Sequence, residues 1–189
     1  VAGKPLTFSG KVQKKPLEML KALVAFGGDE VTEGQITDAL WPDADGDTAR
    51  ISFKTTLHRL RQLIGHDEAI RVQEGKVSLD RRYCWTDVWA FERMLESSEF
   101  GVRSSGLKAQ KRQSEIQSLE KTILLYRGHF LPQDEDKPWA VSLRERLRNK
   151  FLRAVGALGE SWERSGKLTK AVDCYEKGLE VDDLAEEFY

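Results

Sequence analysis

Cysteine is scarce, with Cys84 and Cys174 the only two in 189 residues. Two widely spaced thiols build neither a disulfide framework nor a metal cluster, which agrees with a reducing compartment. Histidine is scarcer than its roles require: His58, His66 and His129 are dispersed, and no two share a helix at ligand spacing. No apolar run is long enough to cross a bilayer. The opening VAGKPLTFSGKVQKK also lacks the apolar core of a secretion signal, so a cytoplasmic location without membrane attachment is expected. HExxH, GxxxxGK and GxSxG are missing, and DADGD at 43–47 lacks the closing acid of a calcium loop. The expectation is a protein that is not an enzyme and needs no metal or cofactor. Net charge is nearly absent too, at -1 from 30 basic and 31 acidic side chains, so the chain as a whole is no sponge for nucleic acid. A local basic patch can still steer binding, because a field depends on where the charges lie.

Such a patch is present. DTARISFKTTLHRLRQLIG, residues 47–65, carries Arg50, Lys54, Arg59 and Arg61 and has no acid after Asp47. Read as a helix at about 100° per residue, it places Phe53, Leu57, Leu60 and Ile64 on one side. Ile51, Thr55, His58 and Gln62 then point roughly opposite, with Lys54 and Arg61 on one shoulder and Arg59 on the other. Asp47 is the expected cap and Gly65 the expected stop. Taken alone, the segment fits an ordinary core helix with a charged solvent face better, so its neighbours must decide.

PLEMLKALVAF (16–26) has Pro16 in a first turn and Leu17, Leu20, Leu23, Val24 and Phe26 as an apolar face, stopped by Gly27 and Gly28. TEGQITDALW (32–41) pairs Thr32 with Gln35 as a capping box, buries Ile36, Ala39 and Leu40, and closes at Pro42. Trp41 reads as core. After Gly65 the period changes: Ala69–Val72 and Lys76–Leu79 read as two short strands around Gly75. Three small helices followed by a two-stranded ribbon describe a winged helix-turn-helix, whose third helix is the one available to a major groove. An unrelated small α+β domain remains open.

Beyond residue 86 long helices dominate. Thr86 caps a helix whose inward positions are Val88, Phe91 and Leu95. A second helix covers roughly 108–126, with Ile116, Leu119, Ile123 and Leu124 as core. RGHFLPQDEDKP (127–138) is a loop, and its acids Asp134, Glu135 and Asp136 decorate it. A long helix from Trp139 to Arg164 could break near Gly156, and Thr169–Glu180 forms the last complete one. Trp85 and Trp89 either pack the two halves together or close the second half's own first helix. Leu158, Gly159, Trp162, Gly166, Ala171 and Tyr175 fall at tetratricopeptide spacing, small where two helices approach and large where they interlock. Gly178 and Asp183 depart from that pattern. LAEEFY (184–189) reads as the start of another helix, as if the array were cut there.

GKPL, LEMLKALVAFGGDEVTEGQITDALWPD and ARISFKTTLHRLRQLIG, followed by the hairpin, resemble the OmpR/PhoB-type winged helix. With DVWAFERML, LYRGHFL (125–131) and the repeat-like tail, the chain resembles a SARP-type bacterial transcriptional activator, an OmpR/PhoB-like winged helix joined to a tetratricopeptide-like activator domain. Leu40–Trp41–Pro42 and Arg59–Leu60–Arg61 are among the more specific features. The resemblance implies a mainly α fold, with a winged helix-turn-helix over 1–83 and a helical domain over 84–189. Its N-terminal sheet would be incomplete, with Gly3–Phe8 supplying the last strand or two, and its helical array truncated.

Carried over residue by residue, the recognition helix falls on Thr48–Ile64. Ile51, Lys54, Thr55 and His58 then face the groove, while Arg50, Arg59 and Arg61 contact or support the backbone. In chemical terms, Lys54 suits guanine acceptors, Thr55 and His58 can hydrogen-bond, and Ile51 can touch a thymine methyl. The other reading of Ile51 is a buried contact with the wing or an upstream strand. Arg71 and Lys76 on the hairpin would reach phosphates or the minor groove; Arg81 and Arg82 lie beyond it. The implied function is sequence-specific binding of double-stranded DNA by a bacterial regulator, an activator, with RNA polymerase as a further partner the resemblance allows. Free chains would be monomers that pair head to tail on DNA. A protein-interaction module using the helical-repeat groove is the alternative.

Overall fold

Near-continuous apolar sequence makes the first helix, α1 (Lys14–Ala25), a core element on more than one side. The computed structural model describes residues 14–102 and 109–189, so the strand expected at Gly3–Phe8 lies outside the described residues. Met19, Ala22 and Leu23 are fully buried, while Leu17, Leu20, Val24 and Phe26 are only half-buried. The expected inward face was therefore rotated. With apolar residues all round, periodicity alone cannot choose the side.

Next comes β1 (Val31–Thr32), then α2 (Glu33–Leu40), α3 (Gly46–Ile64), β2 (Ile70–Gln73) and β3 (Lys76–Leu79). Thr32 and Gln35 form the reciprocal capping box that starts α2. Asp45, not Asp47, caps α3: its carboxylate accepts from the Thr48 backbone N–H at 2.9 Å and from the Thr48 hydroxyl at 2.8 Å. The helix begins two residues earlier than expected, which moves Asp47 into the first turn, where an acid still suits the helix dipole. Gly65 ends α3 in the left-handed conformation. Ala69 sits in a short 3-10 turn and not in a strand. Glu74 (φ 51°) and Gly75 (φ 74°) make the two-residue loop that joins β2 to β3, a primed turn whose twist matches the strands.

The sheet has three antiparallel strands in the order β1-β3-β2, with Val31 opposite Val77 and Val72 opposite Val77 on the other side. Val31, Ile70, Val77 and Leu79 of the sheet are buried, as are Ile36, Phe53, Leu57 and Leu60 of α2 and α3. β1 escaped sequence reading because two residues are too few to show alternation. The result is a winged helix-turn-helix arrangement, mainly helical with a small sheet.

Contacts divide the chain into two compact units, the first holding residues up to Trp85 together with Asp134–Leu143, the second holding Thr86–Gln133 and Arg144–Tyr189. Within the first, Trp139, Ala140 and Leu143 are buried, Lys21 Nζ lies 2.6 Å from Asp134 Oδ2, and Lys137 Nζ lies 3.9 Å from Glu18 Oε1. Asp134 is thus engaged and not merely loop decoration. Trp41 is half-buried under Lys15, whose ammonium also donates to the Leu40 carbonyl at 3.0 Å. Trp85 is 68% exposed, against the expectation that it packs.

The second unit is helical: α4 (Asp87–Val102), α5 (Ala109–Leu125), the continuation of α6 (Pro138–Arg164), and α7 (Leu168–Val181). Val88, Phe91, Leu95, Ile116, Leu119 and Ile123 are buried as expected. Leu124 is 69% exposed, and Thr122 takes its inward place with its hydroxyl tied to the Ser118 carbonyl at 2.8 Å. α6 runs unbroken through Gly156, which lies against the Phe188 ring. A β-carbon on Gly159 would overlap the Tyr175 ring, and one on Gly178 would come within 2.5 Å of Phe188. Ala171 of α7 is buried too, and α6 and α7 approach closely, as tetratricopeptide-like pairs do. After α7, Glu186–Phe188 forms a single 3-10 turn that buries Phe188.

Candidate nucleic-acid interface

α3 owes its orientation to Ala49, Phe53, Thr56, Leu57, Leu60 and Ile64, all buried, which fix the opposite side outward. That outward side carries Arg50, Ile51, Lys54, Thr55, His58, Arg59 and Gln62, every one exposed. Ile51 is 67% exposed, so it is not the buried contact with the wing that was its other reading. His58 and Gln62, one helical turn apart, approach at 3.1 Å between Nε2 atoms, so the amide orients the imidazole.

The cations around this face differ in how they are held. Lys54 and Arg59 form no ion pair among the described residues. Arg50 Nε lies 3.7 Å from Glu33 Oε1 of α2. Arg61 is only partly exposed, and its Nη2 donates to the Ile70 carbonyl at 3.0 Å. That bond ties α3 to the first carbonyl of β2. On the hairpin, Lys76 Nζ lies 3.3 Å from Glu30 Oε2 and Arg71 Nε 3.5 Å from Asp80 Oδ2.

Asp80 is a hub. Its buried carboxylate accepts from the Arg82 backbone N–H at 2.9 Å and from Arg82 Nη2 at 2.7 Å. Those hydrogen bonds, with the nearby charges of Arg82 and Arg71, hold its carboxyl well below the usual carboxylate range. The same bonds push the Arg82 guanidinium still higher, so Arg82 is committed to the fold. Sequence reading missed the acids paired with Arg50, Lys76 and Arg71. Glu30 and Lys76 stand far apart in the chain and meet only because β1 pairs with β3.

Elsewhere the chemistry is quiet. Burial raises the Cys84 thiol above its ordinary value and pushes Cys174 up to about 11, far from the reactive thiolate range. No group of three metal-binding side chains gathers among the described residues. No described helix is long and apolar enough to cross a membrane. Two surface grooves lie in the second unit, one of about 590 Å³ along Phe91 and the loop at Tyr126–Pro132. The other, of about 400 Å³, runs along Leu124, Trp162, Lys170 and Cys174.

Residues 86–189 match the family model described as the bacterial transcriptional activator domain. No curated protein matches the chain.

Proposed function

Because this chain belongs to the bacterial transcriptional activator domain family, we propose that it is a sequence-specific double-stranded DNA-binding activator of the SARP type. In this reading residues 1–83 form an OmpR/PhoB-like winged helix and 84–189 the tetratricopeptide-like activator domain. One observation carries it: the third helix of a winged-helix order turns outward a face with no acid after Asp47, with Lys54 and Arg59 unpaired among the described residues and Ile51 exposed between them. Cations give affinity for phosphate without sequence preference, while Ile51, Lys54, Thr55 and His58 are of types that read base edges. Arg50, Arg71 and Lys76 flank them as phosphate contacts. RNA polymerase and a cytoplasmic setting follow from an activator's work, and no enzymatic step or cofactor is assigned.

Free chains are expected as monomers that pair head to tail on adjacent sites, since linking two weak contacts on one duplex raises the effective concentration. Electrophoretic mobility of labelled duplex at low and moderate salt tests the reading, followed by selection from a random duplex library. A salt-sensitive shift and a selected motif are expected. A folded chain that retards no duplex at low salt would overturn it. A second reading, a protein-interaction module, is favoured by the groove beside Leu124, an exposed apolar residue next to Trp162 and Cys174.

A further inference from the structure

Two of the cations assigned to phosphate contact are already engaged by acids, Glu33 half-buried and Glu30 exposed. Glu33 stands 3.7 Å from Arg50, and Glu30 stands 3.3 Å from Lys76. Neither carboxylate has another hydrogen-bond or ion-pair partner among the described residues. Asp80 is a different case, being buried and bonded to the backbone and to Arg82.

Glu30 and Glu33 flank β1, Glu30 in the bend just before it and Glu33 as the first residue of α2, whose backbone N–H donates to the Gly75 carbonyl at 2.9 Å. Glu30 is held further: its backbone N–H donates to Ser78 Oγ at 2.8 Å, and its φ of 49° is one that non-glycine residues seldom adopt. The fold keeps these two acids beside these two cations. As stabilisers they offer little, because each pair has a solvent-exposed partner and such pairs contribute at most about 1 kcal/mol to folding. Against a polyanion they matter more. A phosphate within reach of Arg50 or Lys76 stands inside the Debye length of about 8 Å from the carboxylate, where like-charge repulsion is not screened away.

We propose that Glu30 and Glu33 are resident competitors for DNA phosphate, lowering the sequence-independent part of binding at Lys76 and Arg50 while Lys54 and Arg59 act unopposed. The proposal rests on reading the α3 face as a DNA-contact surface. Its effect is to shorten residence on unrelated duplex, where phosphate contacts supply nearly all the affinity.

Glu30→Gln and Glu33→Gln test it, with Glu160→Gln on α6 as a control making the same change in net charge. Each of the first two is expected to raise affinity for an unrelated duplex about threefold to tenfold at low salt. Each should also steepen the decline of log affinity with log salt. Glu160→Gln is expected to leave both unchanged. In an Arg50→Gln background, Glu33→Gln should gain nothing, since a double-mutant cycle isolates the pair from any change in stability. Wild-type binding with no gain in the Gln variants, an equal gain in Glu160→Gln, or a full gain without Arg50 would overturn the competition and leave DNA binding standing. Failure of wild type and variants alike to bind any duplex would overturn both.

Discussion

α3 and α7 are both amphipathic helices, yet they pack by opposite means. α3 buries bulk: Phe53, Leu57, Leu60 and Ile64 fill space beneath it. α7 buries absence: Ala171 and Gly178 let α6 and the Phe188 ring come close, and Gly159 on α6 does the same for Tyr175. Their starts differ as well, since Asp45 caps α3 with its side chain while Lys167 at the start of α7 makes no such bond. So do their outer faces. α7 mixes Lys170, Asp173, Glu176 and Lys177, whereas α3 offers cations without an acid after Asp47. A helix that packs by bulk tolerates addition poorly and deletion worse; one that packs by closeness fails when anything is added.

Trimming α3 should have the largest effect. Leu57→Ala removes a side chain only 7% exposed and is expected to cost roughly 2–5 kcal/mol, measured by urea unfolding of the full chain. Adding to α7 comes next: Gly178→Val forces the Phe188 ring aside and should cost about 1–3 kcal/mol, while Gly178→Ala falls between it and wild type. Removing the α2 cap with Thr32→Ala should cost about 1 kcal/mol, visible as a lower melting temperature.

The α3 cap adds a pH test. Hydrogen bonds from the Thr48 backbone and hydroxyl hold the Asp45 carboxyl below its ordinary value. A carboxyl lowered on folding stabilises above its unfolded pKa and loses that contribution as pH falls through the folded value. The melting temperatures of wild type and Asp45→Asn should therefore differ near neutrality and converge below about pH 4; a gap that persists in acid would mean the charge is not what caps α3. Lys54→Ala should affect stability least, within about 0.5 kcal/mol. On a selected duplex it should nevertheless lower affinity, with about 1–3 kcal/mol of discrimination lost if Lys54 reaches a base. If it reaches only phosphate, the loss should be uniform across sequences and the salt slope should shrink by about one. Unchanged binding at both salt levels would remove Lys54 from the interface.

What could be read in advance followed from local chemistry. The capping box at Thr32, the stop at Gly65 and the outward side of α3 each depend on residues within a turn of one another. The inward side of α1 was misread because leucines and alanines surround it, and tertiary contacts chose Met19 over Leu17 and Leu20. Leu124 was misread because helical spacing placed it beside Ile123, whereas Thr122 satisfies its hydroxyl within its own helix and so can be buried. The acids beside Arg50 and Lys76 could not be read at all. Their pairing depends on a two-residue strand and on register across the sheet.

Arg61 ties the end of α3 to the first carbonyl of β2, across a connection only five residues long. Helix and hairpin are thereby joined like the arms of a set square. A surface built that way arrives at its target already shaped, with little torsional freedom left to surrender. Its association should be governed by orientation on encounter and not by a slow rearrangement after it. If α3 and the hairpin touch one duplex as proposed, the distance between their contacts is then a fixed length, and spacing would be read as well as chemistry.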